Sequence, residues 1–261
     1  MHVKSLLRRY GITPRKRWSQ YFLISPSVIQ VMASYARGVV LEIGPGLGFI
    51  TQELAKRAVK VVAIEKDRKM VEILKNEYQF DNVEIIEGDI TLIDLEDTPF
   101  DRVISNIPYH ISSQITFQLL DCDFELGVLS YQKEFAERLV SVPPSLEASR
   151  LSIMAQVKAK WEILQDVPRG NYYPVPKTDC SLVKVEPCEI VATDSFFDAI
   201  VRGLYSHKRK TIRNALISSR DLTGISKESL QLRHIPFAER RVWSLTLEEL
   251  SHLVSQLRIL T

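Results

Sequence analysis

Asn106, Pro108 and Tyr109 stand within four residues of one another in the stretch SNIPYH (105–110), directly after the apolar pair Val103-Ile104. An exocyclic amine such as adenine N6 is a poor nucleophile because its lone pair is delocalised into the ring. Acceptors on both N–H bonds favour the tetrahedral geometry that releases that pair. The Asn106 side-chain oxygen can be one acceptor, and the Ile107 carbonyl, freed from strand pairing by Pro108, the other. Tyr109 then supplies a stacking face for a base taken out of its helix or loop.

Three more sets of residues point to a ligand beside that amine. Glu42-Ile43-Gly44-Pro45-Gly46-Leu47-Gly48 is a glycine-rich turn that opens a helix, where backbone approaches a ligand too closely for Cβ atoms. A dinucleotide fingerprint needs its third glycine at position 49, which is Phe49, so the nicotinamide-dehydrogenase reading fails. Glycines at every second position behind the acidic Glu42 suit a ligand without a pyrophosphate and with a cationic amino-acid end. Glu65 can accept both hydroxyls of a ribose, and the carboxylate of Asp89, in Gly88-Asp89, the exocyclic amine of an adenine. S-adenosylmethionine satisfies all three.

These residues need a scaffold that brings strand ends together, and the pattern supplies one. β-rich runs at 39–43, 60–65, 82–86, 101–105 and 126–131 alternate with helical patterns, the signature of a parallel α/β sheet, and two more runs at 161–167 and 181–185 bring the expected strands to seven. Ser25-Pro26 reads as a helix start. From about residue 188 the pattern is helical to the end, with a capping box at Thr246–Glu249. The expected domains are 1–187, which holds the ligand site behind a basic N-terminal extension, and a small helical domain, 188–261.

Composition is that of an ordinary globular protein: 261 residues, 45% hydrophobic and 25% charged. Three cysteines without C-x-x-C spacing argue against a disulfide framework or a zinc site, and no metal is expected. Without a signal-peptide core or an apolar run of bilayer length, the chain reads as cytosolic and free of membrane. Charge is clustered. Residues 1–20, with Arg15, Lys16 and Arg17, and residues 202–220, with Lys208, Arg209, Lys210 and Arg213, carry six basic residues each and no acid, so with a net charge of +2 the remainder is acidic by about 10 charges. Such clusters, with aromatics nearby, suit a polyanion and specifically nucleic acid.

The stretches SQYFL (19–23), VLEIGPGLG (40–48), VVAIEKD (61–67), EGDI (87–90), SNIPYHISS (105–113), YQKEFAERL (131–139), RLSIMAQV (150–157), YPVPKTDCS (173–181) and HKRKTIRNAL (207–216) together resemble the KsgA-like small-subunit ribosomal RNA adenine N6-dimethyltransferases along nearly the whole chain. The resemblance implies a seven-stranded, Rossmann-like class I methyltransferase domain with a small all-helical C-terminal domain. It implies an S-adenosylmethionine-dependent enzyme that puts two methyls on each of two adjacent adenosines in a hairpin loop near the 3′ end of small-subunit rRNA, acting as a monomer on a partly assembled subunit. By that resemblance Tyr21 and Leu23 line the cofactor pocket, Gly44 and Gly46 touch the cofactor by backbone, Glu65 holds its ribose, and Asp89 with Ile90 its adenine. Asn106 faces both the cofactor and the target amine. Many relatives have Asn or His where Tyr21 stands. Two other readings stay open: a macrolide-resistance-type dimethylase of large-subunit rRNA, and a non-catalytic RNA-binding assembly or transcription factor.

Overall fold

A computed structural model describes residues 3–15, 18–95 and 97–260. The chain divides into two compact units, one holding residues up to Ala136 together with Trp161–Pro187, the other Glu137–Lys160 and everything from Cys188 onward. Residues 137–160, assigned to the first domain in the sequence reading, thus group with the helical unit.

The strands are β1 (Phe22–Leu23), β2 (Val39–Ile43), β3 (Lys60–Glu65), β4 (Val83–Glu87), β5 (Arg102–Asn106), β6 (Leu126–Gln132), β7 (Ala159–Val167), β8 (Tyr172–Tyr173) and β9 (Cys180–Pro187). Seven form one sheet in the order β4-β3-β2-β5-β6-β9-β7, parallel from β4 to β6 and turned antiparallel at β9. The seven expected strands are these, displaced by two residues at most. The short pair β1 and β8, antiparallel through Phe22↔Tyr173 and Leu23↔Tyr172, was not expected, because two residues are too few to show a period.

Burial on both faces explains why β2 and β3 read as near-continuous apolar runs. Val40, Leu41, Val61 and Ala63 are fully buried, with helices such as Pro26–Ala33 and Phe49–Ala55 packed against them. Strand order reverses between β2 and β5, and there the sheet splays. Pairing of β2 with β3 continues to Ile43↔Ile64, and of β5 with β6 to Asn106↔Ser130, whereas β2 with β5 stops at Leu41↔Val103. Ser105 Oγ donates to Ile43 O at 2.5 Å, so a side chain bridges where the ladder has ended. The crevice at this switch point is where open α/β sheets bind ligands.

The second unit is helical from Ser195 onward. Helix Ser195–Tyr205 buries Phe197, Ile200, Val201 and Leu204, and Asp194 caps it by accepting from Phe197 N at 2.8 Å. The reciprocal capping box at Thr246 and Glu249 is present, with bonds of 3.1 and 2.9 Å. Among the described residues no helix is long and apolar enough to cross a membrane. Thr246→Ala removes a cap whose helix buries Leu250, Leu253, Val254 and Leu257; a stability loss of about 1 kcal/mol is expected, read from the urea midpoint.

Candidate functional site

A cavity of about 260 Å³ opens at the splay between β2 and β5, and residues from five chain segments close around it. The N-terminal segment supplies Trp18 to Leu23, the β2 turn Gly44 to Leu47, the end of β3 Glu65 and Lys66, and the loop after β4 Gly88 to Thr91. Asn106, Pro108 and His110 close it from the end of β5. All the residues expected to bind cofactor, Tyr21, Leu23, Gly44, Gly46, Glu65, Asp89, Ile90 and Asn106, are in this wall.

The turn after β2 needs its glycines. Gly44 and Gly46 have φ of +67° and +56°, a region other residues adopt only with strain, and a Cβ on Gly46 would stand 3.0 Å from the Phe22 ring. Gly46 N donates to Glu65 Oε2 at 2.9 Å and Asp67 N to Glu65 Oε1 at 2.8 Å, so the carboxylate is aimed by backbone. Burial nevertheless raises the Glu65 pKa to about 7. Glu42, expected to face the cationic end of a ligand, is instead buried outside the wall, with Oε2 unpartnered; burial, reinforced by the Glu65 charge, raises its pKa to about 8. Asp89 accepts from Lys66 Nζ at 2.5 Å and from Thr91 N and Oγ1, and Lys66 above all holds its pKa low, so it is an anion at neutral pH.

Asn106 shows the most telling geometry. Its Nδ2 donates to Tyr21 O at 2.9 Å, which turns Oδ1 the other way, and that oxygen is buried without a partner. Ile107 N donates to Ser130 O at 3.2 Å, anchoring the turn to β6. Tyr109, expected to offer a stacking face to a base, has its ring on Tyr21 with centroids 5.3 Å apart and its hydroxyl 3.0 Å from Cys180 Sγ, and it is not part of the wall. The physical reason is that the N-terminal segment lies over it, a contact 88 residues away in sequence.

That segment is fastened by contacts that no local pattern in the chain announces. Gln20 accepts from Arg15 N at 2.7 Å and donates to Asp67 at 2.8 Å, while Arg9 and Tyr10 both hold Glu77, at 2.8 and 2.7 Å. Gln20 lies inside SQYFL, so the signal was present, but nothing local names Asp67 as its partner.

The basic residues expected to meet RNA fall into different environments. Arg15 stacks over the Trp18 ring at 4.2 Å; Lys16 and Arg17 lie outside the described residues. Arg209 and Lys210 are exposed. Lys208 instead donates to Leu146 O at 2.5 Å and Ala148 O at 3.0 Å, and Arg213 donates to Leu230 O and pairs with Glu239 at 3.5 Å.

The family model described as "Ribosomal RNA adenine dimethylase" matches residues 11–234. The chain belongs to the ribosomal RNA adenine dimethylase family. It is similar to the probable ribosomal RNA small subunit methyltransferases A of Thermococcus onnurineus and Pyrococcus furiosus, each 42% identical over 98% and 97% of this chain and 96% and 95% of theirs. Among solved structures, a dimethyladenosine transferase from Plasmodium falciparum aligns at TM-score 0.80 with 28% identity, covering 91% of this chain and 98% of that one. The 23S rRNA methyltransferase ErmE aligns at TM-score 0.69 with 25% identity, covering 91% and 99%. A member of this family is an enzyme that dimethylates rRNA adenine with S-adenosylmethionine as methyl donor. The cavity fits that donor by its own features: glycine turns at positive φ, a buried carboxylate held by backbone, and an orphaned amide oxygen.

If Glu65 holds both ribose hydroxyls, as the sequence leads one to expect, it does so best as a carboxylate, and with its pKa raised to about 7 the ionised fraction falls as pH drops below 7. Cofactor Kd is therefore expected to rise below pH 7, by up to about tenfold per unit. Glu65→Gln should bind weakly with no such slope, as calorimetric titration across pH would show.

The Glu42 shift has the opposite consequence for stability. The folded chain keeps a proton that the unfolded chain releases, so stability is lost as pH rises from about 4.5 toward 8. Glu42→Gln should remove that loss, at most about 1.4 kcal/mol per pH unit for one proton, in melting curves at pH 5 and pH 8.

Proposed function

We propose that this enzyme dimethylates N6 of two adjacent adenosines in a hairpin loop near the 3′ end of small-subunit rRNA, in a partly assembled subunit, as a cytoplasmic monomer. The observation that carries the chemistry is the buried, unpartnered Asn106 Oδ1. The small-subunit target is supported by relatives named for that subunit at 42% identity, and by closer geometric likeness to the dimethyladenosine transferase than to the 23S enzyme.

S-adenosylmethionine, when bound, supplies an electrophilic sulfonium methyl. Gly44 and Gly46 would admit it against backbone, the Tyr21 backbone and Leu23 would flank its methionine end, Glu65 would accept from its ribose, and Asp89 with Ile90 would take its adenine. Asn106 Oδ1 and Ile107 O accept the two N–H bonds of the target amine, drawing its lone pair out of the ring. Pro108 keeps the Ile107 carbonyl out of a strand ladder, and Tyr109 stacks on the target base. The first unit, residues up to Ala136 with Trp161–Pro187, holds this machinery, and the helical part from residue 188 onward contacts RNA.

Methyl transfer from labelled S-adenosylmethionine to undermethylated small subunits, in parallel with naked large-subunit rRNA, tests the target. Dimethyladenosine in the small subunit alone is expected; label in large-subunit rRNA sinks the proposed target, and label in neither favours a binding role. Asn106→Ala should lower kcat by a hundredfold or more, on the order of the loss of one aimed transition-state contact, while RNA affinity stays within about threefold. Arg209→Ala with Lys210→Ala should reduce the slope of log K against log salt by about 1 to 2. Lys208→Ala, by contrast, should lower the melting temperature, because its ammonium is held by two carbonyls within the helical unit.

A further inference from the structure

Base stacking in the proposed reaction rests on Tyr109, and one face of that ring is taken. The Tyr21 ring lies on it with centroids 5.3 Å apart and planes inclined by 17°. A base between two rings needs van der Waals contact on both sides, a spacing of about 7 Å, so the pair leaves no slot. The remainder of Tyr109 is held by the Cys180 thiol at 3.0 Å and by packing against the buried core. Accordingly it is Tyr21, not Tyr109, that lines the cavity. The Tyr21 backbone is pinned at both polar groups: its N–H donates to Ser19 O at 2.9 Å and its carbonyl accepts from Asn106 at 2.9 Å. The ring can therefore change rotamer while the carbonyl that orients Asn106 stays in place.

We propose that the Tyr21 side chain is a stand-in for the target base. In the free protein it covers the stacking face of Tyr109, and it is exchanged for the adenine when RNA binds. Tyr21 thereby sets which bases gain access, since a group must stack on Tyr109 at least as well as a phenol ring to take its place. The inference rests on the role given to Tyr109 above.

The test is methyl-transfer kinetics on undermethylated small subunits at saturating S-adenosylmethionine, with cofactor Kd and thermal melting measured for each variant. Tyr21→Ala removes the competitor and keeps the backbone; at saturating S-adenosylmethionine its KM for the subunit is expected to fall about two- to tenfold, the worth of one aromatic pair. Tyr21→Phe keeps the stack and should leave the subunit KM at the parent value. If the alanine variant does not fold, Tyr21→Leu, which fills volume without stacking, should show the same fall. A KM that is unchanged or raised in a folded variant overturns the proposal and makes Tyr21 a fixed wall. Tyr109→Ala separates the two layers of argument. Unimpaired transfer in that variant removes the stacking role itself, whereas lost transfer together with an unlowered KM in Tyr21→Ala removes only the stand-in.

Discussion

The hydrogen bond from Asn106 Nδ2 to Tyr21 O, 2.9 Å long, orients the amide on which the proposed chemistry depends. A carbonyl can only accept, so the amide nitrogen must face it and Oδ1 must face away. An acceptor buried without a partner costs about 1 to 3 kcal/mol, and the fold sustains it because the backbone on either side is over-determined. Asn106 is in register with Ser130, Ile107 N is bonded to Ser130 O, and Ser105 Oγ bridges to Ile43 O where β2 and β5 have parted. The splay that opens the cavity and the bonds that close around the amide are thus two consequences of one strand reversal.

Around that amide the carboxylates are kept in different states. Asp89, beside Lys66, is held as an anion. Glu65 is raised to about 7 by burial yet aimed by two backbone donors, so it can serve as an acceptor near neutral pH. Glu42, raised to about 8, is protonated at neutral pH and spares the turn a second buried negative charge. The site therefore holds fewer negative charges than its count of acids implies, which matters where a cationic methyl donor lies beside a neutral amine.

Clustered charge is likewise divided by the fold. In HKRKTIRNAL the cations look equivalent, yet Lys208 and Arg213 have carbonyl partners inside the helical unit while Arg209 and Lys210 face solvent. Backbone pairing explains the division: Val242 N donates to Lys210 O and Trp243 N to Lys208 O, so the segment lies along a second stretch of chain that fixes which side chains turn inward.

Periodicity and residue type by themselves determined the seven strands, the helical second part, the glycine turn and the strand-end carboxylates, because each is local: apolar runs buried on both faces, a positive-φ turn, and a cap box within four residues. The proposed chemistry of SNIPYH was drawn from local signals too, since the two acceptors and the proline are neighbours in the chain. Only the tertiary structure decided which way the Asn106 amide faces, that Glu42 lies outside the cavity wall, and that Tyr21 rather than Tyr109 meets the cavity. The first and last of those depend on contacts between residues dozens of positions apart, Tyr21 with Asn106 and with Tyr109, and the second on how β2 is buried within the sheet, and none of these leaves a period or spacing in the chain.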